Sequence, residues 1–454
     1  MGIFRKLLLA GMIGLGATYV AAERFPQLQR YKNAVLPFTI LDETKEVPNT
    51  MKETSELKPL VKVKHANHRE KLEEKIAQLF ITRMDNFKEY FPGGILLGKE
   101  ETETGNFFGR YTSYDPEKTQ ETIEEFLEKA EAANKRVLIF EEGEGGYVAG
   151  IGVLPAAKDI GKYFTDNIIG PTIKERVSPS QNKDVRSAEV EKLFGEYARE
   201  LRDRGIDVVF GPVLDAVFQE DAQNVLALQD RQFSDQHLEI RKIAQLYLKM
   251  MKLQGIKTVG KHFLSVGLAE EGDIHEERVV NPGKISPRRW AGKTYSLFKN
   301  DLQGIMLSHT GNPSDFGRPY SVSQRAYEYL TQESYPVSQQ ATEDIFTENN
   351  QEKRRYQGIN YQGLTIIDDL SMRGLLDYVQ TAPLTNRGKM LTAQASTIEA
   401  KAAILAFAQG AESIISLHAD LDEIVRNVAQ AYHADRNFAQ QLERAMKKYA
   451  AFAE

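Results

Sequence analysis

The stretch VEKLFGEYARELRDRGIDVVF, Val190 to Phe210, contains a complete helix, its stop and the strand after it. Val190, Leu193, Phe194, Tyr197 and Leu201 recur at helical spacing and form one apolar face. Gly205 ends that helix, because glycine takes the left-handed conformation of a helix terminus without a steric penalty. Asp207–Phe210 then reads as a short, β-rich run. A helix that delivers the chain straight into such a run is the repeating unit of a parallel sheet.

The unit recurs along the chain. Gln78–Thr82, Gly94–Leu97, Arg136–Phe140, Asp207–Phe210, Lys257–Val259, Gly304–Ser308, Leu364–Ile367 and Ser413–Leu417 all read as strands. Helical periodicity lies between them, as in Ile123, Phe126, Leu127 and Ala130. Eight strand–helix units predict an α/β fold, a (β/α)8 TIM barrel. Periodicity alone leaves a doubly wound open sheet as the alternative. Lys158–Asp184 and Ser334–Tyr356 exceed a minimal barrel and read as solvated insertions.

Composition bounds the function. The 454 residues carry 58 Lys and Arg against 64 Asp and Glu, a net charge of -6, so nucleic acid is an unfavourable partner. Hydrophobic content of 41% supports a real core and excludes disorder. With Cys 0, disulfides, thiolate metal sites and a cysteine nucleophile are excluded together.

The N-terminus reads as a targeting segment. Arg5 and Lys6 precede the uncharged run Leu7 to Ala22, long for a signal core and short for a span of roughly 20 residues. Residues 1–22 are therefore expected to be a cleaved signal or an uncleaved membrane anchor, and either exports the rest of the chain. Residues 23–68, with Pro26, Pro37, Pro48 and Pro59, read as a linker or strap. The barrel is assigned to residues 69–454.

Chemistry in such a barrel sits on the loops after the strand C-termini. Glu142 follows the third strand, Asp215 the fourth, Lys261 and His262 the fifth, and His309 the sixth. Asp368 and Asp369 end the seventh strand and His418 the eighth. Four of the 8 histidines (262, 275, 309, 418) fall in these loops. Asp and His at a barrel mouth suit metal-dependent hydrolysis, glycoside hydrolysis, or ligand binding without turnover. No His-x-His follows the first strand and no histidines pair at i, i+4, which disfavours the metal site.

Lys261-His262-Phe263, followed by Gly272-Asp273-Ile274-His275, resembles the Lys-His-Phe-Pro-Gly-His-Gly…Asp-Ser-His loop of glycoside hydrolase family 3, in its bacterial β-N-acetylhexosaminidase branch. Leu364-Thr-Ile-Ile-Asp368-Asp369-Leu370-Ser371-Met372 is similar to that branch's Ser-Asp-Asp-Leu-Ser-Met strand end. Phe210-Gly-Pro-Val-Leu-Asp215, Asp230-Arg231-Gln232-Phe233 and Glu142-Gly-Glu-Gly-Gly146 resemble three further motifs of the branch, at consistent strand ends.

The resemblance implies a retaining exo-β-glycosidase acting on terminal β-N-acetylglucosamine or a related sugar, with a carbohydrate substrate and no metal or organic cofactor. Asp368 would be the nucleophile, and His275 the acid/base oriented by Asp273. Arg231, Lys261 and His262 would hold sugar hydroxyls, and Glu142 would replace the family's hydroxyl-binding Asp. An imidazole, with an ordinary pKa near ~6.5, suits both donation and acceptance of a proton at neutral pH. The chain departs from the pattern where Pro-Gly-His-Gly becomes Leu264-Ser265-Val266-Gly267 and the loop gains one residue. A degenerate sugar-binding barrel is the alternative.

Overall fold

A computed structural model describes residues 71–97, 116–145, 154–217, 223–264, 266–269, 271–277, 294–312, 317–336, 355–382 and 384–454, with 313–316 outside them. The expected leader, 1–22, and strap, 23–68, also lie outside the described residues.

Eight parallel strands close into a barrel: β1 Phe80–Thr82, β2 Gly94–Leu96, β3 Leu138–Glu141, β4 Val208–Val209, β5 Lys257–Phe263, β6 Gly304–Leu307, β7 Leu364–Ile367 and β8 Ser413–Ile415. They pair in chain order, and β1 returns to β8 through Phe80 opposite Ile414. Closure removes the open-sheet alternative. Strands covered on both faces read as continuous apolar runs, and Leu364–Ile367 and Gly304–Leu307 are buried at every position. The predicted helix in the opening stretch runs Lys183–Asp203, with the Asn182 side chain capping its first turn. Its apolar face, Val190 to Leu201, is buried as the periodicity requires.

Two expectations need correction. Lys158–Asp184 is not a solvated insertion: it forms the helix Ala157–Asp166, whose Ile160, Tyr163 and Phe164 enter the core, and Ile173 and Val177 follow them in. Its charged residues hid a stripe at helical spacing. Of the second stretch, only the ends are described, as an antiparallel pair, Ser334–Pro336 with Arg355–Gln357. The fifth strand also runs further than Val259, so Lys261 and His262 lie within it and not beyond it.

The barrel mouth is tied across its first and last units by one carboxylate. Asp422, on the helix after β8, accepts from the backbone N–H groups of Lys88, Glu89 and Tyr90, the loop after β1, at 2.9 to 3.0 Å.

Candidate active site

The turn leaving β3 begins at a buried glutamate. Glu141 accepts from the Gly143 N–H and, at 2.6 Å, from the Tyr197 hydroxyl, while the Tyr247 hydroxyl donates to the Gly143 carbonyl at 2.9 Å. Gly143 sits at φ +67, and a Cβ there would meet the Tyr247 hydroxyl at 2.7 Å. The turn therefore needs glycine both for its backbone and for the close approach.

Glu144, fully buried, accepts both arms of the Arg231 guanidinium at 2.6 Å and also pairs with Lys261 Nζ at 2.6 Å. Lys261 Nζ reaches Glu142 as well, at 2.5 Å, and the Glu142 side chain is 29% exposed at the mouth. Burial would raise the Glu144 pKa, but Arg231 and Lys261 overcome it and bring it down to about 2. Burial likewise opposes the charge on Lys261, and Glu142 and Glu144 hold its ammonium above the ordinary lysine value. A bidentate guanidinium–carboxylate pair with all partners satisfied is the arrangement that makes buried charge tolerable.

His262, the next residue of β5, is held by a different carboxylate. Its Nδ1 lies 2.7 Å from Asp215 Oδ2, which also accepts the His262 backbone N–H at 2.9 Å. With Nδ1 bound to a carboxylate, Nε2 is the atom presented to the mouth, 4.0 Å from Asp368 Oδ2. Asp368 follows β7 directly and is buried, with Oδ1 accepting from the Asp369 N–H at 2.9 Å. Burial would raise its pKa, yet His262, His309, Lys261 and His275 together hold the carboxyl below the ordinary Asp value. It is a carboxylate at neutral pH.

Asp273 and His275 stand on the loop after β5. His275 Nδ1 lies 2.5 Å from Asp273 Oδ1, and its backbone N–H donates to the same oxygen at 2.9 Å. Both side chains are about one-fifth exposed. Burial raises and His275 lowers the Asp273 pKa, and the net direction is down. The loop is fastened to the turn beyond the candidate nucleophile: Arg373 N–H donates to the His275 carbonyl at 3.2 Å and Gly374 N–H to that of Ile274 at 2.9 Å. Ile274 belongs to a separate apolar cluster with Val217, Val225, Leu226, Val266, Ala269 and Met372.

The structure thus gathers Glu142, Arg231, Lys261, His262 and Asp368 around one mouth and joins His275 to Asp273 on the loop beside it. Three further residues take part. Glu144 carries two cations; its signal was the Glu-Gly-Glu spacing, in which either glutamate could face inward. Asp215, placed after the fourth strand with no role assigned, orients His262. His309 is fully buried against the β7 end, and no motif marked it. His418 is exposed at the rim. Among the described residues, no group of three or more His, Cys, Asp or Glu is placed to hold a metal ion.

Comparison with known proteins bears on the family and the fold. The chain is 26% identical over 265 residues to a β-hexosaminidase of Idiomarina loihiensis, covering 56% of this chain and 68% of that protein. It is 27% identical over 205 residues to the β-hexosaminidase LpqI of Mycobacterium tuberculosis, 42% of this chain and 50% of that protein. The latter match spans about half of its relative's length. Among solved structures, a family 3 glycosyl hydrolase from Mycobacterium smegmatis superposes with TM-score 0.58 at 19% identity, covering 85% of this chain and 97% of that one. A β-N-acetylhexosaminidase from Beutenbergia cavernae gives 0.57 at 16%, covering 84% and 98%. At such identities the superpositions speak for the fold alone. The glycosyl hydrolase family 3 N terminal domain matches residues 71–395, most of the barrel, and the chain therefore belongs to that family of glycoside hydrolases.

Proposed function

We propose that this chain is a retaining exo-β-glycosidase that removes terminal β-linked N-acetylglucosamine from glycans such as peptidoglycan fragments. The observation that carries this reading is the ionised Asp368 at the β7 end with a His–Asp pair fastened to the turn just beyond it. Asp368 Oδ2 attacks the anomeric carbon, since Oδ1 is held by a backbone N–H. The bond to the leaving oxygen breaks as His275 Nε2 donates its proton there, and a glycosyl-enzyme forms. His275, now neutral, takes a proton from water at Nε2, and the water attacks the anomeric carbon and releases Asp368. Asp273, bonded to Nδ1, stabilises the charged imidazole in both halves of the cycle.

Arg231 and Lys261 bring positive charge to the mouth, while Glu142 and His262 offer polar atoms at its edge. Glu142 and Lys261 form one edge of the buried charge cluster, suited to a sugar hydroxyl that donates to the carboxylate and accepts from the ammonium. The β-hexosaminidase names of the relatives support N-acetylglucosamine as the sugar. Residues 1–22, as a signal or anchor, would place the barrel, 69–454, outside the cytoplasm, with 23–68 as its tether and membrane attachment through residues 7–22 in the anchored form. Among the described residues no helix is long and apolar enough to cross a membrane.

A screen of aryl β-N-acetylglucosaminide, β-glucoside and β-xyloside tests the proposal, with the first-formed anomer read by NMR. Preferred turnover of the N-acetylglucosaminide with β product is expected. An α product would refute retention, and sugar binding without turnover of any substrate would leave the binding barrel as the reading.

A further inference from the structure

Asp369, the neighbour of the candidate nucleophile, has its backbone and both carboxylate oxygens engaged. Its N–H holds Asp368 Oδ1 at 2.9 Å, Oδ1 accepts from the Leu417 N–H beyond β8 at 2.9 Å, and Oδ2 accepts from the Ser371 hydroxyl. Its carbonyl lies 3.0 Å from His309 Nε2. A carbonyl only accepts, so Nε2 carries the proton, and Nδ1, 2.6 Å from Ser321 Oγ, accepts from that hydroxyl in the neutral ring. Ser321 is itself held by backbone: its N–H donates to the Ser308 carbonyl at 3.0 Å, and its own carbonyl accepts from the Tyr327 hydroxyl at 2.8 Å. One chain of bonds thus runs from the end of β6, through a buried imidazole, to the residue whose N–H aims the Asp368 carboxylate.

We propose that His309 is a positioning residue for the nucleophile, fixing through the Asp369 carbonyl the residue whose N–H takes Asp368 Oδ1 and leaves Oδ2 facing the mouth. The proposal rests on Asp368 being the nucleophile. His309 is no proton donor to substrate, because both ring nitrogens are engaged and the residue is fully buried. Burial also lowers its pKa, against the opposing pull of Asp368 and Asp369. The Asp368 N–H meets the Leu307 carbonyl only at 3.4 Å, so the strand ladder holds this turn weakly and the His309 bond matters more.

The test uses the full chain and a fluorinated N-acetylglucosaminyl fluoride, following the first-order constant for covalent labelling and, separately, the Kd for N-acetylglucosamine. His309→Leu fills similar space without either hydrogen bond, and His309→Gln keeps an N–H near the ε position. Labelling should slow about 10²-fold in His309→Leu and recover to within about tenfold of wild type in His309→Gln, with Kd changed less than about twofold. Ser321→Ala, which releases the far side of the ring, should slow labelling about tenfold. Wild-type labelling in the folded variants overturns the proposal, as does a parallel loss of labelling, binding and thermal stability, which marks a purely structural role. Should His309→Leu not fold, His309→Gln and Ser321→Ala decide by the same two readouts. If wild-type label falls on a residue other than Asp368, the nucleophile assignment fails first and separately.

Discussion

Asp368, Lys261 and Glu144 stand on or just beyond barrel strands and are buried among charges that satisfy one another, whereas Asp273 and His275 ride a loop one-fifth exposed. The first group is placed by the sheet: β7 fixes Asp368, β5 fixes Lys261, and the turn beyond β3 fixes Glu144. The second depends on two backbone bonds to the turn after β7 and on a seven-residue apolar cluster apart from the main core. Damage therefore falls differently on the two. On the proposed roles, changes at the strand ends should abolish chemistry or stability outright, and changes in the loop should act selectively on the proton-transfer steps.

The largest effect belongs to Asp368→Ala. It removes the carboxylate proposed to form the covalent bond, and turnover should fall by at least about 10³-fold while N-acetylglucosamine binding stays close to wild type. Steady-state kinetics paired with calorimetric binding checks this. His275→Ala should come next. Natural glycans, whose leaving oxygen needs a proton, should lose about 10²–10⁴-fold. Aryl substrates with good leaving groups should keep a fast first step and show a slowed second, which azide rescues; Asp273→Ala should follow the same pattern more weakly. A small, equal loss on every substrate would place the acid on another loop.

Glu144→Gln probes the strand half by stability. It leaves Arg231 and Lys261 buried with one charge too few, and the unfolding free energy should drop by about 3–5 kcal/mol. The Glu144 pKa falls from the usual 4.5 to about 2 on folding, so its contribution is complete above 4.5 and lost as pH falls through 2. Wild type should therefore lose more stability on acidification than Glu144→Gln, measured by denaturant unfolding at about pH 6 and about pH 3. The mildest effect belongs to Ile274→Ala. Its burial lies in the satellite cluster, so global unfolding should barely shift while turnover of natural glycans falls about tenfold through a loosened His275. A large drop in the unfolding midpoint would show that the loop is part of the main core.

The barrel was legible because buried parallel strands write themselves as apolar runs, and all eight expected runs carry strands. The Lys158–Asp184 stretch was misread because a helix with one buried stripe among charges looks solvated when its partners are unknown. At the site, Asp368, Lys261 and His262 were visible as polar residues interrupting apolar strand ends. His309 was visible too, after the sixth strand, but its role and that of Glu144 come from contacts 60 and 87 residues away in the chain, with the Asp369 carbonyl and with Arg231. Sequence spacing carries no record of such pairings.

The expectations about catalysis depend on Asp368 being the nucleophile. A fluorinated N-acetylglucosaminyl fluoride, applied to the full chain and followed by peptide mass spectrometry, reports on that assignment without an intervening step. A single glycosylated peptide is expected, with the added sugar on Asp368 and no label in Asp368→Ala. A sugar mapped instead to Asp369 or Glu142, or labelling that persists in Asp368→Ala, would contradict the assignment.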